Sequence, residues 1–223
     1  MTTFVLVHGI CHGGWCWEPT AARLTALGHQ VTAVDLPLTS LHDDASFVTD
    51  TLDRLDAPVV LVGHSYGGLV ISRAAEGRAD VRRLVYVAAL MIGADDVAGP
   101  KVAEFPSTLF SERLQVSEDG LISVDSDSAV ACFYNECTTV DADAAAVRLR
   151  PTPLACLGTP TGAEPWDRIP STYVVCERDQ TIHPEMQRAM SRRAGRVYAL
   201  STDHSPFMST PDELVQILVQ AEI

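Results

Sequence analysis

The residues Gly63-His64-Ser65-Tyr66-Gly67 follow the apolar run Val59 to Val62 and precede a helix-like stretch opening Gly68-Leu69-Val70-Ile71. A strand that turns sharply into a helix at a serine lifts the hydroxyl above the carboxyl edge of a sheet. The glycines on either side have a steric cause, since a Cβ at either place would collide where strand and helix approach. The pattern demands a strand-turn-helix unit and makes Ser65 a candidate nucleophile. A pattern with so few fixed positions also arises as an ordinary glycine-bearing turn, so the rest of the chain has to decide.

Short apolar, β-branched runs alternate with helix-length segments, giving expected strands near 3–8, 30–35, 58–63, 82–89, 171–177 and 196–200. Helical spacing covers 18–27, 43–55 and 65–76. This rhythm predicts an α/β fold, a mostly parallel sheet of about six strands with helices on both faces. Near the end, Thr210-Pro211-Asp212-Glu213 has the form of an N-cap, a first-turn Pro and a capping-box Glu. Leu214, Ile217, Leu218 and Ala221 follow at helical spacing and are expected to be buried.

The rhythm breaks over about 93–168, where a hairpin is expected from Leu114 to Val116 and Leu121 to Val124, then helices near 127–135 and 141–149. An excursion after a strand's carboxyl end is placed to cover a site on the sheet's top edge. The expected organisation is one domain over 1–223, with a core of 1–92 and 169–223 and an inserted cap. A chain of 223 residues that is 47% hydrophobic can bury such a core.

Composition narrows the function. With 16 basic against 29 acidic residues, a net charge of −13 and a pI near 4.8, phosphate backbones and anionic membranes are disfavoured partners. Lys101 is the only lysine, which leaves little room for Schiff-base chemistry. Met1-Thr2-Thr3 runs directly into Phe4-Val5-Leu6-Val7 and no apolar run reaches about 18 residues, so a cytoplasmic location is expected. Cys11, Cys16, Cys132, Cys137, Cys156 and Cys176 are too sparse for a disulfide scaffold and lack a regular ligand pattern, so free thiols are expected. No cofactor and no metal is expected; His8 and His12 stand four apart, but in a glycine-rich loop, not on a helix.

A serine needs a base to take its proton, and the base needs an acid to hold its tautomer. In sheets that carry this elbow the order along the chain is Ser, then Asp or Glu, then His. Asp179 follows the strand 171–177 and His204 follows the next one, which puts both at the edge where Ser65 sits. His8, His12, His29 and His42 precede the nucleophile, His64 adjoins it, and His183 is the rival base. Asp95 and Asp96 compete for the acid, while Asp203 reads as a turn residue. The oxyanion donors expected are the backbone N–H groups of Tyr66, after the nucleophile, and Ile10, after the first strand.

His8-Gly9-Ile10-Cys11-His12-Gly13-Gly14-Trp15-Cys16-Trp17, Gly63-His64-Ser65-Tyr66-Gly67-Gly68 and Asp203-His204-Ser205-Pro206-Phe207-Met208 together resemble the α/β-hydrolase branch of plant methyl-ester esterases, hydroxynitrile lyases and related bacterial esterases. The resemblance spans nearly the whole core and only loosely the cap. It implies a triad of Ser65, Asp179 and His204, with Ile10 and Tyr66 as oxyanion donors. The lyases of this branch carry threonine where Gly9 stands and lysine where Ser205 stands, and both departures count against cyanohydrin cleavage.

The expected activity is therefore that of a serine esterase, a carboxylic-ester hydrolase working through an acyl-enzyme on a small-molecule ester. A thioesterase or lactonase of secondary metabolism is the alternative within enzymes, and a slow or non-catalytic ligand receptor the alternative outside them. Cys11, Phe133, Trp166, Thr181 and Ile182 are candidate substrate contacts, in a pocket expected to be small and apolar and to prefer short acyl or aromatic esters. Relatives of this kind often pair, so a homodimer is compatible with the resemblance.

Overall fold

In a computed structural model, the chain is described over residues 1–221. Strands β1 (Thr3–Val7), β2 (Gln30–Ala33), β3 (Val59–His64) and β4 (Val81–Val87) alternate with helices α1 (Glu18–Ala26), α2 (Leu41–Leu52) and α3 (Gly67–Ala74). An insertion then carries α4 (Ala98–Val102), α5 (Leu109–Arg113), β5 (Gln115–Val116), β6 (Leu121–Ser123), α6 (Ser126–Phe133), α7 (Thr139–Ala146) and β7 (Thr152–Pro153). The chain returns through β8 (Ser171–Cys176), α8 (Pro184–Ser191), β9 (Arg196–Leu200), α9 (Pro206–Ser209) and α10 (Pro211–Gln220).

The main sheet runs β2-β1-β3-β4-β8-β9 and every pairing in it is parallel. Its central strands are buried on both faces, which is why they read as unbroken apolar runs. Alternate residues serve opposite layers. Val5, Val7, Leu61 and Tyr173 pack with residues of α2, α3 and α8, whereas Phe4, Leu6, Val60, Val62 and Val174 pack with Trp17, Leu24, Phe207, Leu214 and Leu218. Each fully buried large side chain contributes roughly 1.5–3 kcal/mol relative to exposure.

The expected hairpin forms as the antiparallel pair β5-β6, turning at Gly120 with φ of 73°. β7 adds a third strand that the sequence did not announce, because residues this far apart pair only once the insertion has folded back. The short helices α4 and α5 were also not foreseen. Over α10 the buried stripe is Leu214, Val215, Ile217 and Leu218, with Ala221 buried beyond it. Its capping box does not close. Thr210 ends α9, its N–H donates to Pro206 O, and its φ and ψ of −138° and 53° turn the hydroxyl away from the N–H groups of α10.

The non-glycine residues at positive φ are Cys11 (63°), Leu38 (53°), Ser65 (55°) and Ala88 (44°). They follow β1, β2, β3 and β4 respectively, so strained backbone is concentrated on the sheet's carboxyl edge. Among the described residues no helix is long and apolar enough to cross a membrane, and all six cysteines are free.

Candidate active site

Ser65 sits at the top of β3 in the left-handed region, 6% exposed. Its N–H donates to Val87 O at 3.2 Å and its carbonyl accepts from Gly68 N and Leu90 N, both at 3.0 Å. The strained turn is therefore over-determined by the neighbouring strand. Across from it, a Cβ on Gly9 would lie 2.7 Å from Ser65 Cβ and 3.2 Å from Oγ, so only glycine leaves the hydroxyl unobstructed.

The loop after β1 is fixed by two neutral histidines. His8 Nε2 accepts from Leu36 N at 2.9 Å, so its proton is on Nδ1, which donates to Gly9 O at 2.8 Å. Because a trans peptide sets C=O and N–H antiparallel, holding the Gly9 carbonyl aims the Ile10 N–H the opposite way. His12 Nδ1–H donates to Ile10 O at 2.9 Å, and Nε2 accepts from Tyr134 OH at 2.9 Å. All four ring nitrogens are spent on protein partners. Neither Ile10 N–H nor Tyr66 N–H donates to a protein acceptor among the described residues, and both residues line one cavity with Ser65. The Tyr66 side chain is anchored separately, its hydroxyl donating to the buried Asp44 at 2.7 Å.

Asp179 and His204, on the loops after β8 and β9, meet at 2.7 Å between Oδ2 and Nδ1 and are buried. Asp179 Oδ1 accepts from Thr181 N at 2.6 Å and Ile182 N at 3.0 Å, while Oδ2 also accepts from Gln187 Nε2 at 2.7 Å. His204 is held against the elbow, for His64 Nε2–H donates to its carbonyl at 2.8 Å and the two rings are 4.5 Å apart. The rivals lie elsewhere. Asp95 is exposed and Asp96 caps Gly93 N; His183 begins α8, where Nδ1 accepts from Glu185 N at 3.2 Å. Asp203 is a buried loop organiser that accepts from Ser205 N, Ser209 Oγ and, across from the insertion, Glu136 N.

Ile10, Ser65 and Tyr66 open onto a cavity of about 640 Å³ whose remaining walls come mainly from the insertion and from Thr181, Ile182, His183 and Met186. It has room for a drug-sized molecule, larger than the small pocket expected. Three of the expected contacts are outside its walls. Cys11 is drawn under β7, its N–H donating to Thr152 Oγ1 at 2.8 Å. Phe133 is buried between the rings of His12 and His204, at 5.2 and 5.9 Å. Trp166 folds back edge-on to Tyr86, with centroids 6.1 Å apart. Each fills core space that exists only once the insertion is in place.

Burial pushes His8 down to about 4 and His12 down to about 3 from an ordinary 6.5, and places His64 well below it. Below about pH 6.5 the unfolded chain takes up protons that the folded chain refuses, so stability is lost as pH falls from there toward 4. At pH 5, His8 and His12 each contribute a loss of about 2 kcal/mol. Burial raises Asp44 and Asp203 above the ordinary 3.8, so these two add stability as pH falls through their raised values, in the opposite sense to the histidines. Melting temperature is expected to drop on the order of 10 °C between pH 7 and 5; a thermal melt unchanged over that interval would contradict the neutral, buried histidines.

Gln187 is the site residue the sequence reading missed. Its signal was present as an amide within the buried stripe Met186, Gln187, Met190 and Ser191 of α8, where a polar side chain needs internal partners.

A left-handed serine between strand and helix, a buried Asp–His pair on the following loops and two uncommitted N–H groups at the carboxyl edge of a parallel sheet define the α/β-hydrolase architecture. The chain belongs to the alpha/beta hydrolase family, whose sequence profile matches residues 4–217, and within it to the branch of the plant methylesterases. It is 32% identical over 250 residues to Methylesterase 7 of Arabidopsis thaliana, covering 97% of this chain and 95% of that protein. It is 31% identical over 264 residues to Methylesterase 18 of the same plant, covering 98% and 96%. Among solved structures, polyneuridine aldehyde esterase superposes with a TM-score of 0.86 at 22% identity over 100% of both chains, a likeness of fold.

Proposed function

We propose that this protein is a serine ester hydrolase acting on small-molecule carboxylic esters. The observation that carries the reading is the buried 2.7 Å Asp179–His204 bond beside the left-handed Ser65. His204, its proton held on Nδ1 by Asp179, presents Nε2 as the base for Ser65 Oγ. Attack on the ester carbonyl gives a tetrahedral oxyanion stabilised by the Ile10 and Tyr66 N–H groups. The alcohol leaves with the proton from His204, and water activated by the same ring releases the acid. A thioester or lactone would use the same groups. The relatives' names, methylesterase in both cases, favour the ester.

The test is hydrolysis of a p-nitrophenyl ester, with intact-mass detection of a phosphonate adduct, in wild type, Ser65→Ala and His204→Ala. Turnover and adduct are expected in wild type and both are expected to vanish in Ser65→Ala, with His204→Ala lowering kcat by three or more orders of magnitude (roughly 10³ or greater). A wild type that neither turns over nor labels would replace the enzyme by a binding protein.

A further inference from the structure

The cavity wall contains no Asp, Glu, Lys or Arg among the described residues, so it offers no partner to an ionised substrate. Its hydroxyl donors other than Ser65 are already committed. Ser107 Oγ donates to Glu112, Thr108 Oγ1 to Thr181 O, Ser111 Oγ to Thr108 O, Thr181 Oγ1 to Cys132 O and Tyr66 OH to Asp44. His183 differs from all of them. Its Nδ1 accepts from Glu185 N, so the proton of the neutral ring is on Nε2, and that N–H has no protein acceptor among the described residues. With Ser107 and Thr108, His183 also lines a second, polar cleft that includes Glu112 and Arg188, so at these residues the apolar cavity meets polar surroundings.

We propose that His183 is a specificity-determining residue whose Nε2–H receives a second hydrogen-bond acceptor on the substrate. The substrate class is then an uncharged ester with a sizeable apolar body and a ketone, ether or further carbonyl oxygen away from the ester being cleaved. This assignment rests on the ester-hydrolase reading of the same site. His183 is half-buried, so a bound substrate that covers its N–H without meeting it strips the donor of solvent and leaves it unpaired, and the donor therefore discriminates among esters that the apolar walls would accept alike.

The experiment compares methyl octanoate with methyl oxo-octanoates in which the ketone is walked from carbon 4 to carbon 7. In wild type one keto isomer is expected to exceed methyl octanoate in kcat/KM by about tenfold, the worth of one hydrogen bond formed in place of solvent. In His183→Leu the ratio between those two substrates is expected to collapse to near one, and in His183→Gln, which keeps an N–H donor, part of it should return. Because each variant is judged by a ratio of its own rates, a general loss of folded enzyme does not alter the reading. Turnover of the whole series with no keto preference, or a preference that survives in His183→Leu, would overturn the assignment and leave the hydrolase intact. No turnover of any ester, with no phosphonate adduct on Ser65, would overturn both.

Discussion

Asp179→Asn is expected to lower kcat for ester hydrolysis by about 10⁴-fold at pH 7, with KM little changed. The wild-type carboxylate accepts on both oxygens, from Thr181 N and Ile182 N on one side and from Gln187 Nε2 and His204 Nδ1 on the other. An asparagine has one acceptor oxygen to offer. Turned toward the two backbone N–H groups, it sets its own NH₂ against Gln187 and His204, donor facing donor. The ring is relieved by moving its proton to Nε2, and a ring protonated there cannot take the proton of Ser65. Steady-state kinetics should show the fall, and the imidazole ¹⁵N shifts should show the exchanged tautomer. Retention of a tenth or more of the wild-type kcat would mean that His204 is oriented by something other than Asp179.

Gly63→Ala is expected to destabilise the fold by about 3 kcal/mol or more, read as a lowered denaturant midpoint. A Cβ there would stand 2.5 Å from Gly67 O and 2.7 Å from Gly67 C, both backbone atoms at the start of α3. They cannot move aside by a rotamer change. Relief requires α3 to slide along β3, and Gly67 itself leaves no room, since its own Cβ position is 2.7 Å from Val7 O. The crossing of β1, β3 and α3 is thus set by absent side chains. A stability within half a kcal/mol of wild type (roughly the range of a neutral surface change) would show that the elbow relaxes more freely than this packing allows.

Gly67 answers to a distant cause, the Val7 and His8 carbonyls at the end of β1, but Gly63 was legible in the sequence because its cause is local: strand, turn and helix are consecutive. The same holds for the main strands, whose burial on both faces leaves continuous runs such as Val59 to Val62. The loops bearing Asp179 and His204 could be located because a parallel sheet brings every strand's carboxyl end to one edge. What depended on distant partners was not legible. Cys11, Phe133 and Trp166 were candidate contacts by position near a motif or in the insertion, but Thr152, His12 and Tyr86 draw them into packing instead. Thr210 has the local form of a cap and fails as one because α9 ends on it. Gln187 was missed for another reason: its partners Asp179, Ile182 and Cys176 are close in sequence, but the helical spacing of α8 does not say that its amide turns back onto the strand and loop just before it.

The wall-forming insertion is a separate stretch of chain from the segments around Ser65, Asp179 and His204. Most of the cavity wall is consequently written in a different part of the gene product from bond cleavage and can diverge at its own rate, while Thr181, Ile182 and His183 keep a share of substrate choice on the loop that bears Asp179. Hydrogen bonds to the core limit that freedom, among them Tyr134 to His12, Arg150 to the His12 carbonyl, Thr152 to Cys11 N, Glu136 N to Asp203 and Thr181 Oγ1 to the Cys132 carbonyl. A lineage that keeps such anchor points can rewrite the lining between them and inherit a new diet with its chemistry unaltered.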